Sequence, residues 1–240
     1  VEVQLRRRGA VRISLPTLHL QTVFDDQVVA NVDVLATFLP TVHDQVWWDT
    51  IKTLTQRGAV VVCAASNGSI GSDAARGTVA GRGVDLSQWR YFTDRGDADA
   101  IMVGASRSYD GTVHEYSNYN YRYRMLNAWG DGVATLSYGI LQDKDGDDRD
   151  YTGNYGGTSS ATPMVTGALS LIQSYAMEHH HVYLDANQMH LLVMASGYKD
   201  AVFPHEDRLP MGARPNVHGA LVLLDSILGG GRFAPPREEL

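Results

Sequence analysis

The sequence predicts an α/β fold, a mostly parallel central sheet flanked by helices in three layers, and three stretches carry that prediction. The first is a helical pattern over 44–56 that ends at Gly58 and feeds Ala59-Val60-Val61-Val62-Cys63-Ala64-Ala65. A continuous apolar run of strand length suits a strand buried on both faces. Helix, glycine and buried strand together make half of a βαβ unit. The second is another short buried run, Ala100-Ile101-Met102-Val103-Gly104-Ala105-Ser106. The third is Gly156-Gly157-Thr158-Ser159-Ser160-Ala161-Thr162-Pro163-Met164-Val165-Thr166-Gly167-Ala168, a glycine-led entry into an apolar, small-residue helix running to about Met177. Glycines let the backbone turn sharply and a ligand approach closely. A helix N-terminus adds unpaired N–H groups and partial positive charge, which suit a developing oxyanion. As local structure the stretch reads as a Ser/Thr-capped helix start with Pro163 in its first turn.

Composition bounds the rest. A chain of 240 residues allows one large or two small domains, and one α/β domain is the default at this size. An apolar fraction of 44% is enough for a sizeable core. With 20 Lys and Arg against 27 Asp and Glu, the net charge of −7 argues against a nucleic-acid partner. The single cysteine, Cys63, reads as a small core residue, and no disulfide can form within the chain. No 18-residue apolar span occurs, so no membrane-spanning helix is expected. Val1-Glu2-Val3-Gln4-Leu5 is neither an initiator methionine nor a signal peptide and reads as the middle of a strand.

In chain order, residues 1–5 suit a short strand, and Arg6-Arg7-Arg8-Gly9 a basic turn. Val11-Arg12-Ile13-Ser14-Leu15 alternates as a strand would and Pro16 closes it, but 28–38 lacks clean periodicity, so 11–43 reads as an insertion. Asp44 caps the helix in which Val46, Trp47, Thr50, Ile51 and Leu54 recur at helical spacing. Directly after the buried strand comes Ser66-Asn67-Gly68-Ser69, at the carboxyl end where open α/β sheets bind ligands. Alone, an Asn-Gly pair is only a turn. Residues 69–99 read as a Gly- and Asp-bearing loop region.

Asp143, Asp145 and Asp147 alternate around Gly146, and such oxygens can wrap Ca²⁺. Their spacing is not an EF-hand, because the glycine comes early and the twelfth position holds Asn154 instead of Glu. A solvated acidic loop is the alternative. His179-His180-His181 falls at a helix end, where consecutive residues face different directions, so helix-terminal solvation is expected ahead of metal binding. Residues 185–196 read as an amphipathic helix through Asn187, Met189, Leu191, Leu192 and Met194, residues 214–228 as a closing helix, and 229–240 as a linker or tail.

The string Gly157-Thr158-Ser159-Ser160-Ala161-Thr162-Pro163-Met164-Val165-Thr166-Gly167 resembles the nucleophile motif G-T-S-x-[AS]-x-P-x-[VA]-x-G of the subtilisin-like serine proteases. Other stretches support the resemblance in the expected order. Ala64-Ala65-Ser66-Asn67 is similar to the family's A-A-G-N, Tyr116-Ser117-Asn118-Tyr119 to its F-S-N-Y, and Leu126-Asn127-Ala128-Trp129-Gly130 to its A-P-G segment with Trp129 in place of Pro. The resemblance is firm over about 58–178 and implies a subtilisin-like three-layer sandwich, of which 1–228 would be the C-terminal portion. It implies that Ser159 is the nucleophile and Asn67 the oxyanion donor, with Ala64, Ala65, Ser66, Gly157 and Thr158 binding substrate. Ser66 stands where the family usually has Gly, on the wall of the pocket for the residue before the scissile bond.

A serine protease also needs a base and a carboxylate that orients it. The family's D-[ST]-G and H-G-T-H motifs do not occur here. His19, His43, Asp25 and Asp26 lie outside any glycine-framed loop of the right kind, and His114 falls in a segment matching a surface strand. The resemblance therefore implies that Asp and His come from an upstream segment or a second chain of the same precursor. It also implies a polypeptide substrate, no required cofactor, and a secreted or periplasmic location; structural Ca²⁺ sites are common in the family, but the acidic loop of Asp143, Asp145 and Asp147 matches none of its motifs. By itself the chain is expected to be inactive or nearly so. The alternative is an inactive pseudoprotease, or a binding subunit on the same scaffold.

Overall fold

A computed structural model describes residues 39–68, 82–88, 90–136, 141 and 150–229. The expected strands before residue 39, most of the expected insertion, and the acidic loop with Asp143, Asp145 and Asp147 lie outside the described residues.

Helix α1, Gln45–Gln56, begins where its sequence says it should, because the Asp44 side chain accepts from the N–H groups of Val46 and Trp47. Strand β1, Val62–Ala64, comes next and pairs in parallel with β2, Ile101–Ser106. The latter pairs in parallel with β3, Met125–Trp129, giving the order β1-β2-β3. The region expected as loop contains a 3-10 turn, Leu86–Gln88, and a short helix α2, Arg90–Arg95. That helix is too short to leave a periodic signal. Strands β4, Val133–Leu136, and β5, Tyr151–Tyr155, form a separate antiparallel pair.

Three helices complete the described chain: α3, Thr158–His180, α4, Ala186–Ser196, and α5, Val217–Leu228. Side chains alternate across a strand, so each strand divides its apolar residues between two faces. Val62, Ile101, Val103, Leu126 and Ala128 meet α3 through Ala161, Val165, Leu169 and Ile172, with Met189 and Leu224 from α4 and α5 behind them. Cys63, Met102 and Met125 face the other way, toward Leu39, Val42 and Ile51 and the connecting segments carrying Leu86, Tyr119 and Phe203. The result is three layers, as expected. Leu39 and Val42, at the end of the expected insertion, are part of this second core.

The structure corrects four local readings. Pro163 sits in the second turn of α3, not the first, because the helix starts at Thr158. The cap residue of α3 is Gly157, which offers no side chain, so the helix is not capped by its own Ser or Thr. Helix α4 buries Met189, Leu192 and Val193 while Leu191 points outward at 57% exposure, one step off the assumed face. Finally, His180 is not solvated. Its Nε2 lies 2.7 Å from Asp225 Oδ1 on α5, both side chains are nearly fully buried, and the Tyr175 hydroxyl donates to the same carboxylate. Burying a carboxylate demands such partners.

Candidate active site

All three parallel strands end on one side of the sheet, and the segments that leave those ends build the site. After β1 comes Asn67. After β2 the chain passes through Tyr116, whose hydroxyl donates to Gly130 O just beyond β3. The N–H of Gly157 reaches the same Gly130 carbonyl at 2.7 Å and Tyr116 Oη at 3.1 Å. Gly130 must be glycine, since a Cβ there would sit 2.3 Å from the Tyr116 hydroxyl. These bonds dock the start of α3 against the carboxyl ends of the strands, the usual ligand position in such sheets.

At the start of α3, Gly157 has φ of 82°, a conformation that costs a side-chain-bearing residue energy and glycine nothing. The turn sends the two hydroxyls of the motif to different places. Ser160 is buried, and its Oγ donates within reach of Trp129 O and Gly157 O at 3.0 and 2.9 Å. Ser159 is half-buried, and among the described residues nothing hydrogen-bonds to its Oγ. Of the motif's two serine hydroxyls, that of Ser159 is the one left without a hydrogen-bond partner among the described residues.

The first N–H groups of a helix have no intrahelical partner. Here that of Gly157 goes to Gly130, that of Thr158 to Asn67, and those of Ser160 and Ala161 to Gly157 O. Among the described residues, Ser159 is left as the first-turn N–H with no partner. Beside it, Asn67 Oδ1 accepts from the Thr158 N–H at 3.0 Å and from the Thr158 hydroxyl at 3.1 Å. An amide whose oxygen is held by two donors must turn its NH₂ elsewhere. Asn67 Nδ2 lies where a Cβ on Gly157 would be 3.3 Å from it, next to the turn that leads into Ser159.

Pro163 has no N–H to give the Ser159 carbonyl, its partner four residues back. The Tyr155 hydroxyl donates there instead, at 3.3 Å. Burial raises the pKa of Tyr155, so the hydroxyl stays protonated and able to donate.

The other expected substrate-binding residues behave differently. Ala64 and Ala65 are 3% and 0% exposed, and both backbone groups of Ala65 are already used, its N–H by Val103 O and its C=O by the Asn118 side chain. Both are buried behind the loop. Ser66 is buried, donates its hydroxyl to Leu39 O, and has φ of 69°, which explains why glycine suits this position. No histidine among the described residues hydrogen-bonds to Ser159. His43, His114 and His190 all have pKa values lowered chiefly by burial, and His190 bonds to Met125 O. Among the described residues no group of three metal-binding side chains occurs, and no helix is long and apolar enough to cross a membrane. The three histidines of 179–181 therefore form no such group.

The profile of the subtilase family matches residues 37–211. The chain belongs to the subtilase family. That span runs from before α1 to beyond α4 and includes both Asn67 and Ser159. No curated protein sequence matches significantly. Among solved structures, the patellamide maturation protease PatA is similar at 20% identity and a TM-score of 0.53, over 90% of this chain and 70% of that one. A lanthipeptide protease is similar at 18% identity and a TM-score of 0.52, over 88% of this chain and 68% of that one. The prenylagaramide maturation protease PagA aligns at 16% identity and a TM-score of 0.51, over 90% and 69%. These likenesses establish that this subtilase chain has the subtilisin-like α/β fold.

In the sequence, Tyr116 and Asn118 stand only within a string similar to the family's, with no role attached. Their roles are exercised through hydrogen bonds to residues more than 40 positions away, which no local pattern reports.

Proposed function

We propose that this chain is the nucleophile-bearing part of a subtilisin-type serine endopeptidase. In this reading Ser159 Oγ attacks a substrate carbonyl, and its proton passes to a histidine supplied, with its orienting aspartate, by an upstream segment or second chain. The oxyanion is held by Asn67 Nδ2 and the Ser159 N–H. Collapse returns the proton to the leaving amine and leaves an acyl-Ser159, which water then hydrolyses.

The observation that carries this reading is the Asn67–Thr158 lock. It fixes a side-chain amide by its oxygen, beside the Ser159 N–H that has no partner among the described residues. Two such donors, set before reaction, favour the transition state over the ground state. A polypeptide substrate fits the family, and the similar solved proteases named above process peptides.

The test is labelling of the full-length protein with a fluorophosphonate probe. Modification is expected on Ser159, lost in Ser159→Ala and kept in Ser160→Ala. Absence of labelling in the full-length protein would sink the enzyme reading and leave the scaffold as a pseudoprotease or binding subunit.

A further inference from the structure

We propose that Asn118 is a positioning residue for the oxyanion donor, acting through a single carboxamide that clamps both sides of Asn67. This inference rests on the role given above to Asn67. Asn118 is 0% exposed and lies in the segment after β2. Its Nδ2 donates to Ala65 O at 2.8 Å, and its Oδ1 accepts from Gly68 N at 3.1 Å and from Val84 N at 2.8 Å. Its backbone N–H adds a bond to Ser66 O at 3.0 Å. The residues immediately before and after Asn67, and the one before those, are thus all held by one side chain and its backbone.

The chemistry needs a carboxamide. Ala65 presents an acceptor and Gly68 a donor, so the group between them must donate at one end and accept at the other. Asn does both, while a carboxylate at neutral pH only accepts and an apolar side chain does neither. The fit is also steric. A Cβ on Gly68 would lie 2.1 Å from Asn118 Oδ1 and 2.8 Å from Val84 Cγ2, so the loop can close on the amide only with glycine there. The neighbour Ser117 ties the same segment to the sheet, its Oγ accepting from Ala105 N at 2.8 Å. Asn118 therefore refers the height and direction of Asn67 to the end of β2, and the Thr158 lock refers them to α3. The Ser66 backbone is held at φ of 69°, a costly shape for a residue with a side chain, and the Asn118 contacts help keep it there alongside the Ser66 hydroxyl bond to Leu39 O.

Misplacement by about 1 Å can cost on the order of 100-fold in rate. In the full-length protease, Asn118→Asp is expected to lower kcat for a peptide substrate about 10- to 100-fold with KM nearly unchanged. The deciding readout is a double-mutant cycle. If Asn118 acts through Asn67, the loss should nearly vanish when Asn118→Asp is added to Asn67→Ala. Equal losses in both backgrounds would overturn the inference. If Asn118→Asp fails to fold, Gly68→Ala, which displaces the same amide from the opposite side, is carried through the same cycle. Failure of both variants to fold would assign Asn118 to structure alone and also overturn it. An Asn67→Ala variant with unchanged kcat would instead sink the oxyanion reading on which this rests, while a normal Asn67→Ala loss with an additive Asn118→Asp loss would sink only the positioning role.

Discussion

Thr158 and Ser160 flank Ser159 with opposite jobs, one holding the Asn67 amide and the other fastening the helix start to β3. Thr158 gives Asn67 two hydrogen bonds, of which only the hydroxyl bond depends on its side chain. Thr158→Val keeps the shape and the N–H but removes that hydroxyl. A neutral hydrogen bond is worth about 1 kcal/mol net, so under the function proposed above kcat is expected to fall about fivefold, with little change in KM. An unchanged kcat would mean that the backbone N–H alone fixes the amide. Cys63 makes a contrast with Ser159. It is buried in the face of β1 that turns away from α3, and burial pushes its thiol pKa up to about 12. The thiolate is the reactive form, so iodoacetamide at neutral pH should leave the native chain unmodified and alkylate Cys63 only after denaturation. Rapid native-state alkylation would place the residue elsewhere.

At the level of elements, α3 has to begin at a glycine turn, carry a proline, and still leave the Ser159 hydroxyl without a partner among the described residues. The proline leaves the Ser159 carbonyl without its helical donor, and Tyr155 at the end of β5 supplies one. Tyr155→Phe removes that donor from a partly buried group, at a cost of about 1 kcal/mol. In a protein of this size that corresponds to a fall of about 2–4 °C in the unfolding midpoint, measurable by calorimetry. An unaltered midpoint would show that the carbonyl gains nothing from the bond. This contact also marks where local reading stops. The strands β1 and β2 are legible in the sequence because both faces are buried and the runs are uniformly apolar. Helix α1 is legible through its Asp44 cap and α4 through its recurring apolar positions, while the reciprocal capping box of Asp185 with Gln188 is visible only in the structure. The Tyr155 bond, the Asn118 clamp and the His180–Asp225 pair are not. Each joins residues by side-chain geometry rather than by period, and the last spans 45 positions of sequence.

For the molecule as a whole, the three histidines with lowered pKa make stability depend on pH in a definite direction. His43, His114 and His190 are each held below their usual value chiefly by burial. The unfolded chain therefore binds protons more readily than the folded one as pH drops below about 6.5. Their contribution is complete above that value and is lost as pH falls toward the folded-state values. Salt-bridged carboxylates act in a lower window. Glu115, bonded to Arg107, and Glu206, bonded to Tyr121 and Arg82, have pKa values below the usual carboxylate range, so their contribution persists until the pH falls beneath it. A second whole-molecule effect opposes the histidines, since acid shrinks a net charge of −7 and with it the self-repulsion of the folded state. The two are separated by substitution. His190 bonds to Met125 O at 3.2 Å, a contact that the amide nitrogen of His190→Gln can approach without titrating. Both proteins share the net-charge term above and below the transition, so it cancels in their difference. Unfolding midpoints of wild type and His190→Gln, measured from pH 7.5 to 5, should diverge as pH falls, with wild type losing more. A constant gap across that range would show that His190 titrates alike in the folded and unfolded chains.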